Sequence, residues 1–172
     1  MTGPVATDAA AAGEVGLAVE DALGHCYRLL SRMDRTVAQV RHHLERRRVR
    51  PEVIDAAVAE LEQQGYLDDA AYAQRFTHAR RTLDGWGRER IQRQLVAAGV
   101  DRAIAVAAVG PPAEVRELDA AVTLLQRRFR VCPRTDRDRA RAFGLLLRKG
   151  YQRELAYEAV RRFGRQAGTD CT

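Results

Sequence analysis

Apolar residues recur along this chain at spacings of three and four, and the groups they form recur in turn. Leu44, Val49, Val53, Ala57 and Val58 return as Leu95, Val100, Ile104, Ala108 and Val109, and again as Leu146, Tyr151, Leu155, Ala159 and Val160, each step being 51 residues. The second and third copies align without a gap as GVDRAIAVAAV and GYQRELAYEAV. Self-similarity at a fixed period of this length marks stacked supersecondary units that share a continuous core.

Within each copy the three-four spacing predicts two helices separated by a short turn. In the first, Thr36 with Gln39 three residues on forms a capping box, so a helix should begin at Thr36, with Val37, Val40 and Leu44 along one stripe. After the turn RRRVR, Pro51 suits a first helical position, and Val53, Ile54, Ala57, Val58 and Leu61 continue the apolar face. A third helical segment precedes each pair, at Leu23 to Leu30, Tyr72 to Leu83 and Val122 to Phe129. Gly65, Gly85, Gly87, Gly99, Gly110, Pro111, Pro112 and Gly150 fall at the boundaries, where helix stops belong.

The expected fold is therefore all-α, with three tandem three-helix repeats forming an elongated, curved array. Repeat 1 is placed at residues 20–67, repeat 2 at 68–110 and repeat 3 at 111–164, between a flexible leader over 1–19 and a frayed tail over 165–172. The composition agrees, since 46% of residues are hydrophobic but only 6% aromatic, with Ala, Leu and Val dominant. Such an array presents a long lateral surface better suited to a polymer than to a small molecule.

Charge adds a direction. The formal net charge is +6, Lys149 is the single lysine, and residues 111–172 hold 14 of the 29 basic side chains. Arginine's planar fork suits phosphate and carboxylate partners, although GC-rich codon usage accounts for arginine preference equally well. An anionic partner should meet the C-terminal part first.

The stretch GYLDD, Gly65 to Asp69, reads as a joint: Gly65 ends one helix, Tyr66 and Leu67 plug the gap between modules, and Asp68 or Asp69 caps the next helix. A catalytic carboxylate pair is the weaker reading, because adjacent residues diverge on a helix. Trp86, between Gly85 and Gly87, is read as packing against a neighbouring helix, with base stacking as the sharper alternative. Cys26, Cys132 and Cys171 make no CxxC pair, and His25, His42, His43 and His78 lack spaced partners, so no metal site, cofactor or enzymatic activity is expected. Without a basic leader or a long apolar run, the protein is expected in the cytoplasm, off the membrane and as a monomer.

The segments LLSRMDRTVAQVRHHLERR, VIDAAVAELEQQGYLDDAAYAQRF and GWGRERIQRQLVAAGVDRAI closely resemble the RecX family of bacterial recombination regulators, over about residues 22 to 163. The resemblance implies three tandem three-helix repeats, in agreement with the period read above. It also implies a protein that binds RecA and its nucleoprotein filament and suppresses recombinase, ATPase and coprotease activity in DNA repair and the SOS response, some members also binding single- or double-stranded DNA. A general DNA-binding helical protein competing for single-stranded DNA is the alternative.

The basic residues offered for such a RecA- or DNA-binding surface are Arg80, Arg81, Arg88, Arg90, Arg93, Arg127, Arg128, Arg130, Arg148 and Lys149. Arg88, Arg90 and Arg93 should occupy the outer circumference of a helix whose Ile91 and Leu95 face inward. Arg127 to Arg130 and the later RTDRDRAR form the densest basic region, interrupted by Asp136 and Asp138. The third unit departs most from the family's pattern through its connection RVCPRTDRDRARAF.

Overall fold

The computed structural model describes residues 5–111, 114–129 and 131–166. Among these, all regular structure is helical: α1 (Val5–Leu30), α2 (Val37–Glu45), α3 (Pro51–Gln63), α4 (Asp69–Thr82), α5 (Arg88–Ala97), α6 (Arg102–Val109), α7 (Glu114–Arg128), α8 (Asp136–Lys149) and α9 (Arg153–Gln166). The order is the expected three sets of three. The first helix begins at Val5, well before the expected leader ends at residue 19. Its alanine-rich start has strong helix propensity, which the missing apolar stripe concealed. The tail from Ala167 lies outside the described residues.

The chain divides into two compact units. One holds the residues up to Tyr72 together with Ala98–Val100; the other holds Ala73–Ala97 and the residues from Asp101 onward. The residues expected to form the middle repeat are thus shared out rather than standing as a unit of their own.

In the first unit α1 and α2 both pack on α3. Its core joins Ala22 and Cys26 of α1, Val40 and Leu44 of α2, and Val53, Ile54, Ala57, Val58 and Leu61 of α3. In the second unit α7 and α8 both pack on α9, and α5 packs on α6. Ala121, Val122 and Leu125 meet Ala142, Leu146, Tyr151, Ala156, Ala159, Val160 and Phe163 there. The 51-residue period is therefore a period of core positions: Leu44, Leu95 and Leu146 are all fully buried, as are their equivalents Ile54, Ala105 and Ala156 to within a few per cent.

The period also governs how each second helix ends. After α2, Arg48 N–H donates to Glu45 O at 2.8 Å and Val49 N–H to Leu44 O at 3.2 Å; after α8, Gly150 N–H donates to Leu147 O at 3.0 Å and Tyr151 N–H to Leu146 O at 3.1 Å. Both are the paired bonds of a Schellman stop, which needs one residue in the left-handed region. That residue is Arg48 (φ 59°), Gly99 (φ 87°) or Gly150 (φ 88°), each 51 from the last. Only the first copy fills the position with a side chain, at a conformational cost of about 1–2 kcal/mol. The glycines in the other copies are also required by space. A Cβ on Gly99 would collide with the Ala38 side chain, and one on Gly150 with the Arg90 backbone.

Arg48→Gly is therefore expected to stabilise the protein by roughly 0.5–1 kcal/mol, the relieved strain being partly offset by glycine's freedom in the unfolded chain. Gly150→Ala should cost more than about 2 kcal/mol, because strain and collision add. Chemical denaturation of both variants checks the opposite signs.

Candidate interaction surface

Helix ends carry donors and acceptors that the helix itself cannot satisfy, and most of the residues singled out by the sequence serve these ends. Thr36 is fully buried. It closes the expected capping box with Gln39, and its hydroxyl also donates to Ala98 O at 2.7 Å. One copy later in sequence, Gly87 N–H donates to Lys149 O at 2.8 Å and Glu89 N–H to Gly150 O at 3.2 Å. Thr36 and Gly87 are 51 apart, and so are Ala98 and Lys149. In each case the start of a second helix takes carbonyls from the end of the following copy's second helix.

GYLDD resolves into two caps. The stop after α3 places Gly65 at φ 75°, with Gly65 N–H on Glu62 O at 3.0 Å and Tyr66 N–H on Leu61 O at 2.9 Å. Leu67 is buried as expected, but Tyr66 does not plug a gap: it is 58% exposed and meets the Tyr27 ring edge-on at 5.2 Å. Asp68 caps its own helix by accepting from Ala71 N–H at 2.8 Å. Asp69 accepts from Val37 N–H at 3.0 Å, the first residue of a helix 32 positions earlier. Burial pushes the Asp69 carboxyl above its ordinary range, the Val37 hydrogen bond pulls against this, and the Asp68 charge adds to it.

Trp86 and its neighbours form a stack within the second unit. Phe76 meets the indole edge-on at 6.2 Å, while the guanidinium carbons of Arg90 and Arg80 lie 4.1 Å and 5.1 Å from the indole centroid. Arg80 is also 5.1 Å from the Phe76 ring and pairs with Asp84 at 2.6 Å. Such cation–π contacts contribute about 0.5–1 kcal/mol each. The indole thus packs against Phe76, with the Arg80 and Arg90 guanidinium groups over its ring.

The other predicted arginines of α4 and α5 are committed similarly, Arg93 excepted. Arg81 donates to Val109 O at 2.6 Å and Arg88 to Gly110 O at 3.0 Å, closing the end of α6. Arg90 donates to Arg148 O at 2.8 Å, and Lys149 to Asp84 O at 2.7 Å. Beside them Tyr151 is almost fully buried. Burial, helped by the Glu117 charge and opposed by Arg81, pushes its hydroxyl from 10.0 up to about 12. A concavity of about 380 Å³ opens here, lined by Arg81, Trp86, Arg88, Arg116, Glu117 and Tyr151.

Arg93, Arg127, Arg128 and Arg148 remain exposed, and Arg130 lies outside the described residues. Two further concavities flank α8. One, about 540 Å³, sets Phe143, Tyr157 and Val160 beneath Arg139, Arg161 and Arg165. Those arginines are paired: Arg139 with Asp136 at 3.0 Å, Arg161 and Arg165 with Glu158 at 3.6 Å and 3.0 Å. The other, about 490 Å³, is lined by Arg128, Phe129, Ala140, Arg141, Leu145 and Arg148. Arg141 entered the sequence reading only as the last residue of the basic stretch RTDRDRAR; its seven-residue spacing from Arg148, with Leu145 between, puts all three on one helical face. Among the described residues no group of His, Cys, Asp and Glu is arranged to hold a metal, and no helix is long and apolar enough to cross a membrane.

Comparison with known proteins gives a consistent picture. The family profile described as "RecX, first three-helix domain" matches residues 22–61, and that described as "RecX, second three-helix domain" matches residues 68–109. Among curated relatives, "Regulatory protein RecX" of Streptomyces coelicolor is 32% identical, covering 88% of this chain and 82% of its own. The protein of that name from Thermobifida fusca is 37% identical over 79% of this chain and 75% of its own. The crystal structure of RecX from Lactobacillus salivarius superposes with a TM-score of 0.73 at 18% identity, covering 86% of this chain and 97% of that one.

Two outcomes follow from the geometry. Folding holds Tyr151 neutral, so its contribution is present below pH 10 and is lost as pH rises from 10 toward 12; over that range wild type should lose on the order of 2–3 kcal/mol more stability than Tyr151→Phe. Asp69→Ala should cost about 1 kcal/mol through the lost cap, whereas Asp69→Asn, which keeps the acceptor and removes the half-buried charge, should stay within about 0.5 kcal/mol of wild type at neutral pH. Urea titrations at matched pH measure both.

Proposed function

The chain belongs to the RecX family, and on that ground we propose that it regulates the RecA recombinase in the cytoplasm. It does so by binding RecA and its nucleoprotein filament, lowering recombinase, ATPase and coprotease activity and so modulating homologous recombination and DNA repair. The observation that carries this reading is the extent of the relationship: regulatory proteins of one family align with most of this chain at 32% and 37% identity, and both family domains fall on consecutive helix triplets. We keep residues 20–67, 68–110 and 111–164 as the three repeats of the sequence.

The action is one of binding rather than bond making. The arginines divide into those that hold helix ends and rings, such as Arg80, Arg81, Arg88 and Arg90, and those left exposed, such as Arg93, Arg127, Arg128 and Arg148. The second set is available to the acidic protein surface or bound strand of a filament without any cost to the fold. Exposed cations of this kind speed encounter and fix register more than they deepen affinity, and they make association salt-sensitive.

The test is ATP hydrolysis by RecA on single-stranded DNA, with DNA in excess and this protein well below one copy per RecA. Inhibition at those ratios is the expected outcome, because too little protein is present to mask the strand. Inhibition only at strand-saturating concentrations would replace this reading with simple competition for DNA, and full hydrolysis throughout would overturn it.

A further inference from the structure

We propose that the concavity beside Tyr151 in the second unit binds a small organic acid. Arg116 and the Tyr151 hydroxyl hold its carboxylate, and Trp86, Val109 and Pro111 receive its hydrocarbon body. This goes beyond the regulatory reading and does not depend on it.

Tyr151 supplies the starting observation. It is almost fully buried, yet its hydroxyl makes no hydrogen bond with any described residue. Leaving a buried hydroxyl without a partner is costly. Packing does not require the group, because the equivalent positions one and two copies earlier are Val100 and Val49. The two charges that act on the hydroxyl, Glu117 and Arg81, both line the concavity, which places the polar end of the side chain there. The hydroxyl stays protonated far above neutral pH, so it stands ready as a donor.

The guanidinium groups around it are of two kinds. Arg81 and Arg88 are anchored, each by one hydrogen bond to a carbonyl at the end of α6, at 2.6 Å and 3.0 Å. A guanidinium carries several N–H groups, so each keeps most of its donors while its position is fixed. Arg116 is exposed and makes no hydrogen bond or ion pair with a described residue. It stands in the first turn of α7, where its charge adds to the positive end of the helix dipole, so α7 itself gains nothing from it. Glu117, the single carboxylate of the lining, gives one oxygen to the Arg88 backbone N–H at 3.2 Å. Three guanidinium groups against one carboxylate leave the concavity positive.

The lining selects among anions. Trp86, Val109, Pro111 and Ala120 supply an apolar wall. Free phosphate would leave that wall unused and bring its second charge against Glu117. A carboxylate carries one charge, is planar, matches the guanidinium fork and arrives with an apolar body. At about 380 Å³ the concavity lies within the usual range of small-ligand clefts, roughly 300–1,000 Å³. Its residues come from α4 to α7 and the turn before α9, converging on one point rather than along a line. That arrangement suits a free acid better than a segment of protein chain.

Trp86 is the one tryptophan of the chain, so its fluorescence reports what enters. The experiment titrates the full chain at constant ionic strength with hexanoate and, in parallel, with hexanamide, inorganic phosphate and the capped peptide acetyl-Gly-Glu-Gly-amide. Hexanoate should give a saturable change with a Kd on the order of 1 mM, and the other three should respond about tenfold more weakly or less. Arg116→Gln should weaken hexanoate binding about tenfold and Tyr151→Phe about fivefold. Arg102→Gln, on an exposed residue at the head of α6, should stay within about twofold of wild type. Arg116 is on the surface and phenylalanine keeps the Tyr151 ring; circular dichroism verifies that the variants fold. The absence of a saturable change, equal binding of hexanamide or phosphate, tighter binding of the peptide, or undiminished binding by the Arg116 or Tyr151 variant would overturn the site. No RecA is present in these titrations, so failure of this site and failure of the regulatory reading are told apart.

Discussion

How helix ends are satisfied governs this fold. Apart from α1, the helices run from eight to fifteen residues, too short to stand alone in water, and each leaves several backbone groups without partners at either end. This chain solves the problem by passing those groups from one copy to another. The Thr36 hydroxyl takes Ala98 O, and Gly87 N–H takes Lys149 O. The carbonyl exists to be taken because a left-handed residue, Gly99 or Gly150, stops the helix immediately after it. The same residue must lack a side chain, because the partner backbone or side chain occupies that space. Stop, cap and close approach are three aspects of one contact, and the 51-residue period preserves all three.

That contact explains the two uses of arginine. Where carbonyls remain at a helix end after the backbone bonds are made, guanidinium groups complete them, as Arg81 and Arg88 do for α6 and Arg90 for α8. Where Trp86 closes the loop before α5, Arg80 and Arg90 cover its ring. These residues are partly desolvated and geometrically fixed. Arg93, Arg127, Arg128 and Arg148 are exposed and make none of these bonds, so their charge is available to a partner. A net charge of +6 therefore overstates the surface open to an anion in some places and understates its concentration in others.

Short-range chemistry was legible in the chain itself. The capping box at Thr36, Pro51 at the head of α3 and the stop at Gly65 stand where the residues require them, because a cap or a left-handed turn is a property of a few adjacent residues. The five apolar positions at 51-residue spacing revealed the repeat, because each copy must bury the same face. The start of α1 at Val5 escaped this reading, since an alanine-rich segment carries propensity without periodicity.

Which long-range partner each polar group meets was settled only by packing. Asp69 stands beside Asp68 in the chain, yet it caps a helix 32 residues away while its neighbour caps its own. Arg88, Arg90 and Arg93 share one short helix, yet one closes α6, one closes α8 and covers an indole, and the third stays exposed. Tyr151 occupies a position where the other copies carry valine, and its hydroxyl is nonetheless buried beside Glu117. Local sequence fixes which groups need partners, because that need arises within a helical turn. The identity of the partner depends on which ends and faces packing brings within about 3 Å, a distance that spacing along the chain does not specify.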